Sequence, residues 1–264
     1  KFDSKSIQNA ANSAFEQAKL ASKWSLYSFD KDVRPKSTGK FSSYRENNNE
    51  ISPEMLNDML MKTNESIKVS DKIVSASSFF KIVETDINFV SSSGSEFSQD
   101  FLLMSIDFSA TAQDGNIIQS RSANGRLAQS YQAGYEVFDE DALLNKAQIV
   151  GEQAVELLSA EECPTKKTNL VLAPDQMMLQ IHESIGHPLE MDRILGDERN
   201  YAGWSFVRLE DFGNLKYGSD LLNVTFDPSL EGEFASYKFD DSGDVAKKEY
   251  LIKGKGSILF QKEY

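Results

Sequence analysis

A proline two residues after a glycine, in Gly186-His187-Pro188, falls inside the segment Gln180-Ile181-His182-Glu183-Ser184-Ile185-Gly186-His187-Pro188-Leu189-Glu190 and limits what that segment can become. Upstream, Pro174 and Asp175 open a helix whose Met178, Leu179 and Ile185 are expected to anchor it in a core. A regular helix does not run through Pro188, which has no N–H and crowds the preceding turn. The same segment holds both histidines of the chain, flanking a glutamate. Imidazoles suit a borderline metal such as zinc, and a carboxylate beside them can take a proton from metal-bound water. On an undistorted helix, at about 100° per residue, positions i and i+5 diverge by roughly 140°. His182 and His187 therefore converge on one ion only if the helix is interrupted. Gly186 tolerates unusual backbone angles, and Pro188 pushes His187 towards an extended conformation. The expectation is that His182 and Glu183 lie on the helix proper while His187 swings round at its broken end. The alternative, on the residues alone, is a pair of ordinary half-buried histidines at a helix terminus.

The rest of the chain reads as an α+β protein: an antiparallel sheet backed by long helices, followed by the start of a β-rich domain. Residues 4–23 place Ile7, Ala10, Ala11, Ala14, Phe15, Ala18 and Ala21 on one helical stripe, and the small alanines predict close packing against a neighbour. Residues 30–50 are polar and loop-like. Ser52-Pro53 then supplies an N-cap and a first-turn proline for a helix with Met55, Leu56, Met59 and Leu60 on its apolar face. From Lys72 the pattern turns to β, stops at a serine–glycine turn, and resumes over about 101–112. Asp114-Gly115 signals a tight hairpin, with residues 117–131 as the returning partner strand. Residues 139–160 form the strongest helical pattern, with Leu143, Leu144, Ala147, Val150, Ala154, Leu157 and Leu158 facing inward.

A polar link containing Cys163 follows. That cysteine is a conceivable metal ligand but reads better as a plain thiol. Asn169 to Ala173 reads as a short buried strand. Glu190 and Asp192 are the nearest carboxylates that could complete a metal shell or orient an imidazole, although each alone also reads as solvated charge. Asn200 to Phe206 mixes aromatic and small residues as a cleft-lining loop would. Leu221 to Phe226 reads as a strand, and 235–239, 245–253 and 257–261 as hairpin strands joined by turns at 240–244 and 254–256. Two units are expected: an N-terminal α+β domain over 1–165, and the motif helix with the beginning of a C-terminal β-rich domain, truncated, over 166–264.

Net charge is −13, which argues against a phosphate-tracking surface and hence against a nucleic-acid partner. One cysteine rules out an internal disulfide and fits a reducing, cytoplasmic setting. No apolar run approaches membrane-spanning length, so no membrane association is expected. Phosphate-binding glycine loops and a nucleophile elbow are likewise absent from the sequence.

The segment His182-Glu183-Ser184-Ile185-Gly186-His187-Pro188-Leu189-Glu190, followed by 192–198, resembles the HExxxH segment of the TldD/PmbA metalloprotease family, once labelled as modulators of DNA gyrase. Residues 222–228, 235–237 and 248–252 are similar to that family's pattern too. The resemblance is specific over roughly 168–252 and looser, though consistent in layout, before it. It implies a zinc peptidase acting on unfolded or extended peptides, as a homodimer or a heterodimer with a PmbA-type subunit. It also implies His182 and His187 as zinc ligands and Glu183 as general base. The intact motif resembles the catalytic TldD branch rather than the PmbA-type partner. The family's third zinc ligand is a cysteine of its C-terminal β-domain; Cys163 precedes the motif and does not hold that place, so the chain is expected to be a central fragment. A non-catalytic binding or assembly module of such a complex is the competing expectation.

Overall fold

In the computed structural model, residues 3–25, 36–43, 52–124, 129–254 and 256–258 are described. The chain begins with α1 (Ser4–Ala21), capped by Asp3, whose carboxylate accepts from the Ser6 N–H at 2.9 Å. Strand β1 (Thr38–Ser42) precedes α2 (Pro53–Ile67). As its sequence predicts, α2 starts at Ser52, whose hydroxyl accepts from the Met55 N–H at 3.1 Å, with proline at the first helical position. The long strands β2 (Ile73–Val90) and β3 (Glu96–Asp114) then run antiparallel, joined by a turn at 91–95 in which Gly94 takes φ 101°. A second tight turn at Gly115, φ 55°, leads into β4 (Ile117–Ser122). After β5 (Gln129–Gln132) comes α3 (Glu140–Glu156), capped by Asp139.

Strand β3 organises the sheet. One of its edges carries β2 along its whole length, while the other is shared by β1, β5 and β4 in succession. The α+β class is as expected, but the sheet is mixed, because β1 pairs with β3 in parallel. Thr38 to Ser42 falls in a stretch expected to be loop; Phe41 packs against Phe101 with ring centroids 5.8 Å apart, which gives that short strand its reason to form. Likewise the expected return strand over 117–131 is two strands, meeting β3 at separate places.

Both faces of β3 are covered. Ile106, Phe108, Ala110 and Ala112 bury against Ile67 of α2 and Ala147, Val150 and Ala154 of α3. The two helices approach so closely there that a Cβ on Gly151 would lie 2.2 Å from the Ile67 carbonyl oxygen. On the alternate residues, Phe97 stacks between Phe89 (4.7 Å) and Phe239 (4.4 Å). Beside it the buried Gln99 amide donates to the Phe239 carbonyl at 2.8 Å and accepts from the N–H groups of Lys238 (3.0 Å) and Phe239 (2.9 Å). From 105 to 112 polar and apolar residues alternate, which predicts one covered and one wetter face; the second face is nevertheless covered at the strand's other end, where Phe97 and Gln99 are buried against the segment around Phe239. Residues 235–239 serve this docking and pair only through a single bridge between Phe239 and Val245, rather than forming the hairpin strand expected of them.

Beyond α3 the expected strand at 169–173 is irregular, with Leu170 and Val171 exposed to 76% and 95%; no described part of the chain offers it a sheet edge. The motif follows as α4 (Pro174–Ile181), a π turn (His182–Gly186), a single 3₁₀ turn (His187–Leu189) and α5 (Met191–Leu195). Strands β6 (Val224–Phe226), β7 (Glu249–Lys253) and β8 (Ser257–Ile258) form a small antiparallel sheet. Ile252 and Ile258 of that sheet join Ile185 and Val207 in a second core. Ile185 is the motif anchor that buries; Met178 remains 54% exposed. Helix α1 buries none of its residues, so its alanine stripe packs on no described neighbour, contrary to expectation. No described helix is long and apolar enough to cross a membrane.

Candidate metal centre

The two histidines meet, but by a different device from the one the sequence suggests. Gly186 (φ −56°, ψ −69°) and His187 (φ −57°, ψ −42°) keep right-handed helical angles, so Gly186 uses no special freedom and His187 is not extended. Instead the helix widens by one residue: the His187 N–H bonds to the His182 carbonyl, five residues back. In a turn closed from i to i+5, residues five apart lie over one another as i and i+4 do in an α-helix. The imidazoles of His182 and His187 accordingly sit with centroids 4.3 Å apart, tilted by 72°. The preference of a residue before proline for extended angles yields here to the helical course of the segment.

Glu183 completes the group. One donor atom each from His182, Glu183 and His187 lies within 4.8 Å of the others, with His182 and Glu183 exposed and His187 half-buried. Metal–nitrogen bonds of about 2.0–2.1 Å spread the donors around one ion over no more than about 4 Å, a distance that small side-chain rotations reach. Two imidazoles fit a borderline divalent cation, and the Glu183 carboxylate lies close beside them.

The second imidazole is held from behind. His187 Nδ1 lies 2.7 Å from Glu190 Oε1, and the other carboxylate oxygen of Glu190 accepts from Arg193 Nε. With Nδ1 bound to a carboxylate, His187 offers Nε2 to an ion. Burial opposes ionisation of Glu190, but the hydrogen bonds from His187 and Arg193 outweigh it and hold its carboxyl below the ordinary range. Arg193 also donates to the Ala202 carbonyl at 2.6 Å, and Ser205 donates to the Pro188 carbonyl at 2.6 Å while accepting from Val207 N–H at 2.9 Å. The loop at 200–206 thus clasps the end of the motif, with its Tyr201 and Trp204 exposed.

Of the flanking carboxylates considered from sequence, Glu190 contacts the site. Asp192 instead accepts from the neighbouring Arg193 N–H and closes α5, its carbonyl taking the N–H groups of Gly196 and Asp197. Cys163 is exposed and outside the His182–Glu183–His187 group. Arg193, Ser205 and Tyr217 carry no signal a sequence reading could use. The Tyr217 hydroxyl donates to the Ser184 carbonyl across 33 residues, and only the missing N–H of Pro188 hints that such a donor is needed.

Comparison with known proteins gives this geometry a context. Residues 46–159 match the model of the PmbA/TldA metallopeptidase central domain, and residues 165–256 that of the PmbA/TldA metallopeptidase C-terminal domain. A metalloprotease of Methanocaldococcus jannaschii is 34% identical over 113 residues, 43% of this chain and 23% of that protein. One from Methanothermobacter thermautotrophicus is 28% identical over 184 residues, 69% of this chain and 37% of that protein. The chain therefore spans about a quarter to two fifths of the length of these curated relatives. Among solved structures, a protein described as a modulator of DNA gyrase from Bacteroides thetaiotaomicron superposes with TM-score 0.63 at 16% identity, over 89% of this chain and 48% of that one. TldE from Thermococcus kodakarensis superposes with TM-score 0.55 at 19% identity, over 95% of this chain and 54% of that one. These two share the fold.

Proposed function

Because the chain belongs to the TldD/PmbA metallopeptidase family, we propose that it carries the metal-binding and proton-transferring part of a zinc peptidase, with His182 and His187 as ligands and Glu183 as general base. The observation that carries this reading is the convergence of those three side chains on one point, from consecutive turns of one widened helix. The ion, when bound, supplies a Lewis acid and a water acidified to a pKa of about 7. His182 and His187 hold the site, and the Glu190 carboxylate fixes which ring nitrogen His187 presents. Glu183 takes the proton of the attacking water on its carboxylate and returns it to the leaving amine nitrogen. A cysteine other than Cys163 is the proposed third protein ligand.

Unfolded or extended peptides are the proposed substrates, and a homodimer or a heterodimer with a PmbA-type subunit is the proposed assembly, in the cytoplasm. The metal-bearing unit is taken as 166–264 and the sheet unit as 1–165. With a net charge of −13, the reading includes no nucleic acid. In the full-length protein, Glu183→Gln is expected to keep stoichiometric zinc and to lose peptide cleavage by about 10²–10⁴-fold; cleavage at the parent rate would reject the role given to Glu183.

A further inference from the structure

Beside the π turn that stacks the two imidazoles, Pro188 creates a backbone difficulty. In a helix, the Ser184 carbonyl would accept from the residue four places on, and that residue is Pro188, which has no N–H. The Tyr217 hydroxyl occupies this vacancy in the hydrogen-bond ladder, donating to the Ser184 oxygen. Tyr217 is itself fixed at three points. Its backbone N–H bonds to the Gly256 carbonyl at 2.8 Å, its ring lies 5.7 Å from that of Phe206, and it packs against the second core. Gly256 can receive it because, at φ 67°, it has no side chain to strike the Gly218 carbonyl, which a Cβ would approach to 2.6 Å. Burial also raises the phenol pKa, so Tyr217 keeps its proton to donate.

We propose that Tyr217 is a positioning residue for the metal site: by standing in for the N–H that Pro188 lacks, it braces the π turn closed by the His187–His182 backbone bond and keeps His187 over His182. The consequence for metal binding rests on the metallopeptidase reading above; the consequence for the turn does not. Tyr217→Phe removes the donor and keeps the ring. In the full-length protein this variant is expected to bind zinc about tenfold more weakly, measured by competition with a chromophoric chelator. In the metal-free protein, exchange of the His187 amide with solvent deuterium is expected to be about fivefold faster. Pro188→Ala in the Tyr217→Phe background returns a backbone N–H opposite the Ser184 carbonyl, and is expected to bring both quantities back to within about threefold of the parent, a rescue that lost packing would not show. Unchanged His187 exchange in Tyr217→Phe, or no rescue by Pro188→Ala, would overturn the proposal. Faster His187 exchange in a protein that holds no zinc would support the turn-bracing role and reject the peptidase reading instead.

Discussion

The two cores of this protein are held by different means. Under the sheet, eight buried side chains from α2, α3 and β3 form one apolar cluster, and the Gly151 contact with the Ile67 carbonyl shows how tightly the layers close. Around the motif four of the described residues, Ile185, Val207, Ile252 and Ile258, are buried together. The geometry there depends on directed bonds: Tyr217 to Ser184, Ser205 to Pro188, Arg193 to Glu190 and Ala202, and His187 to Glu190. Apolar packing is non-directional and tolerates small adjustments that conserve volume. A site whose donor atoms must meet within fractions of an ångström gains more from hydrogen bonds, which fix angle as well as distance. The first region thus supplies stability, and the second supplies aim.

That contrast can be broken by experiment. The largest effect is expected from Gly151→Ala, which forces a methyl group against backbone and should cost about 3 kcal/mol, the upper part of the range for overpacked cores. Urea unfolding of the full-length protein would show it as a lower midpoint at unchanged slope. A smaller effect of another kind is expected from Glu190→Ala: zinc affinity lower by about 10–100-fold, with an unfolding midpoint shifted far less than by Gly151→Ala. An equal loss of stability in both variants would abolish the distinction between the regions. The smallest effect is expected from Lys72→Met. Its ion pair with Asp114, at 2.6 Å, joins two exposed side chains and closes the β-hairpin end of the sheet. Exposed pairs contribute little, so the urea midpoint should not move measurably.

How much could be read beforehand follows the same division. The cap of α2, the hairpin at Gly115 and the burial of Ala147, Val150 and Ala154 are legible because local rules decide them. So is the candidate metal group, since residue type and spacing alone bring His182, Glu183 and His187 under suspicion. The mechanism of their meeting was not. Gly186 and Pro188 suggest a broken helix, whereas the backbone keeps helical angles and inserts one residue, because a donor 33 residues away makes the wider turn tolerable. Strand β1 and the docking of 235–239 were hidden because their partners lie on β3, far along the chain; 235–239 alternates as a strand would, but its local pattern does not reveal that it docks on β3. Residues 169–173 mislead in the opposite sense, being apolar enough for a strand yet without a described edge to join.

Gln99 has a consequence beyond the packing it completes. A single side-chain amide presents to residues 238–239 the donor and acceptor that a neighbouring strand would have presented. Sliding that segment by one residue would turn Phe239 away from Phe97 and leave the amide facing a side chain. The chain leading into β7 is thereby indexed to the sheet at one setting, like a detent in a mechanism, and any movement between them must click out of register rather than drift.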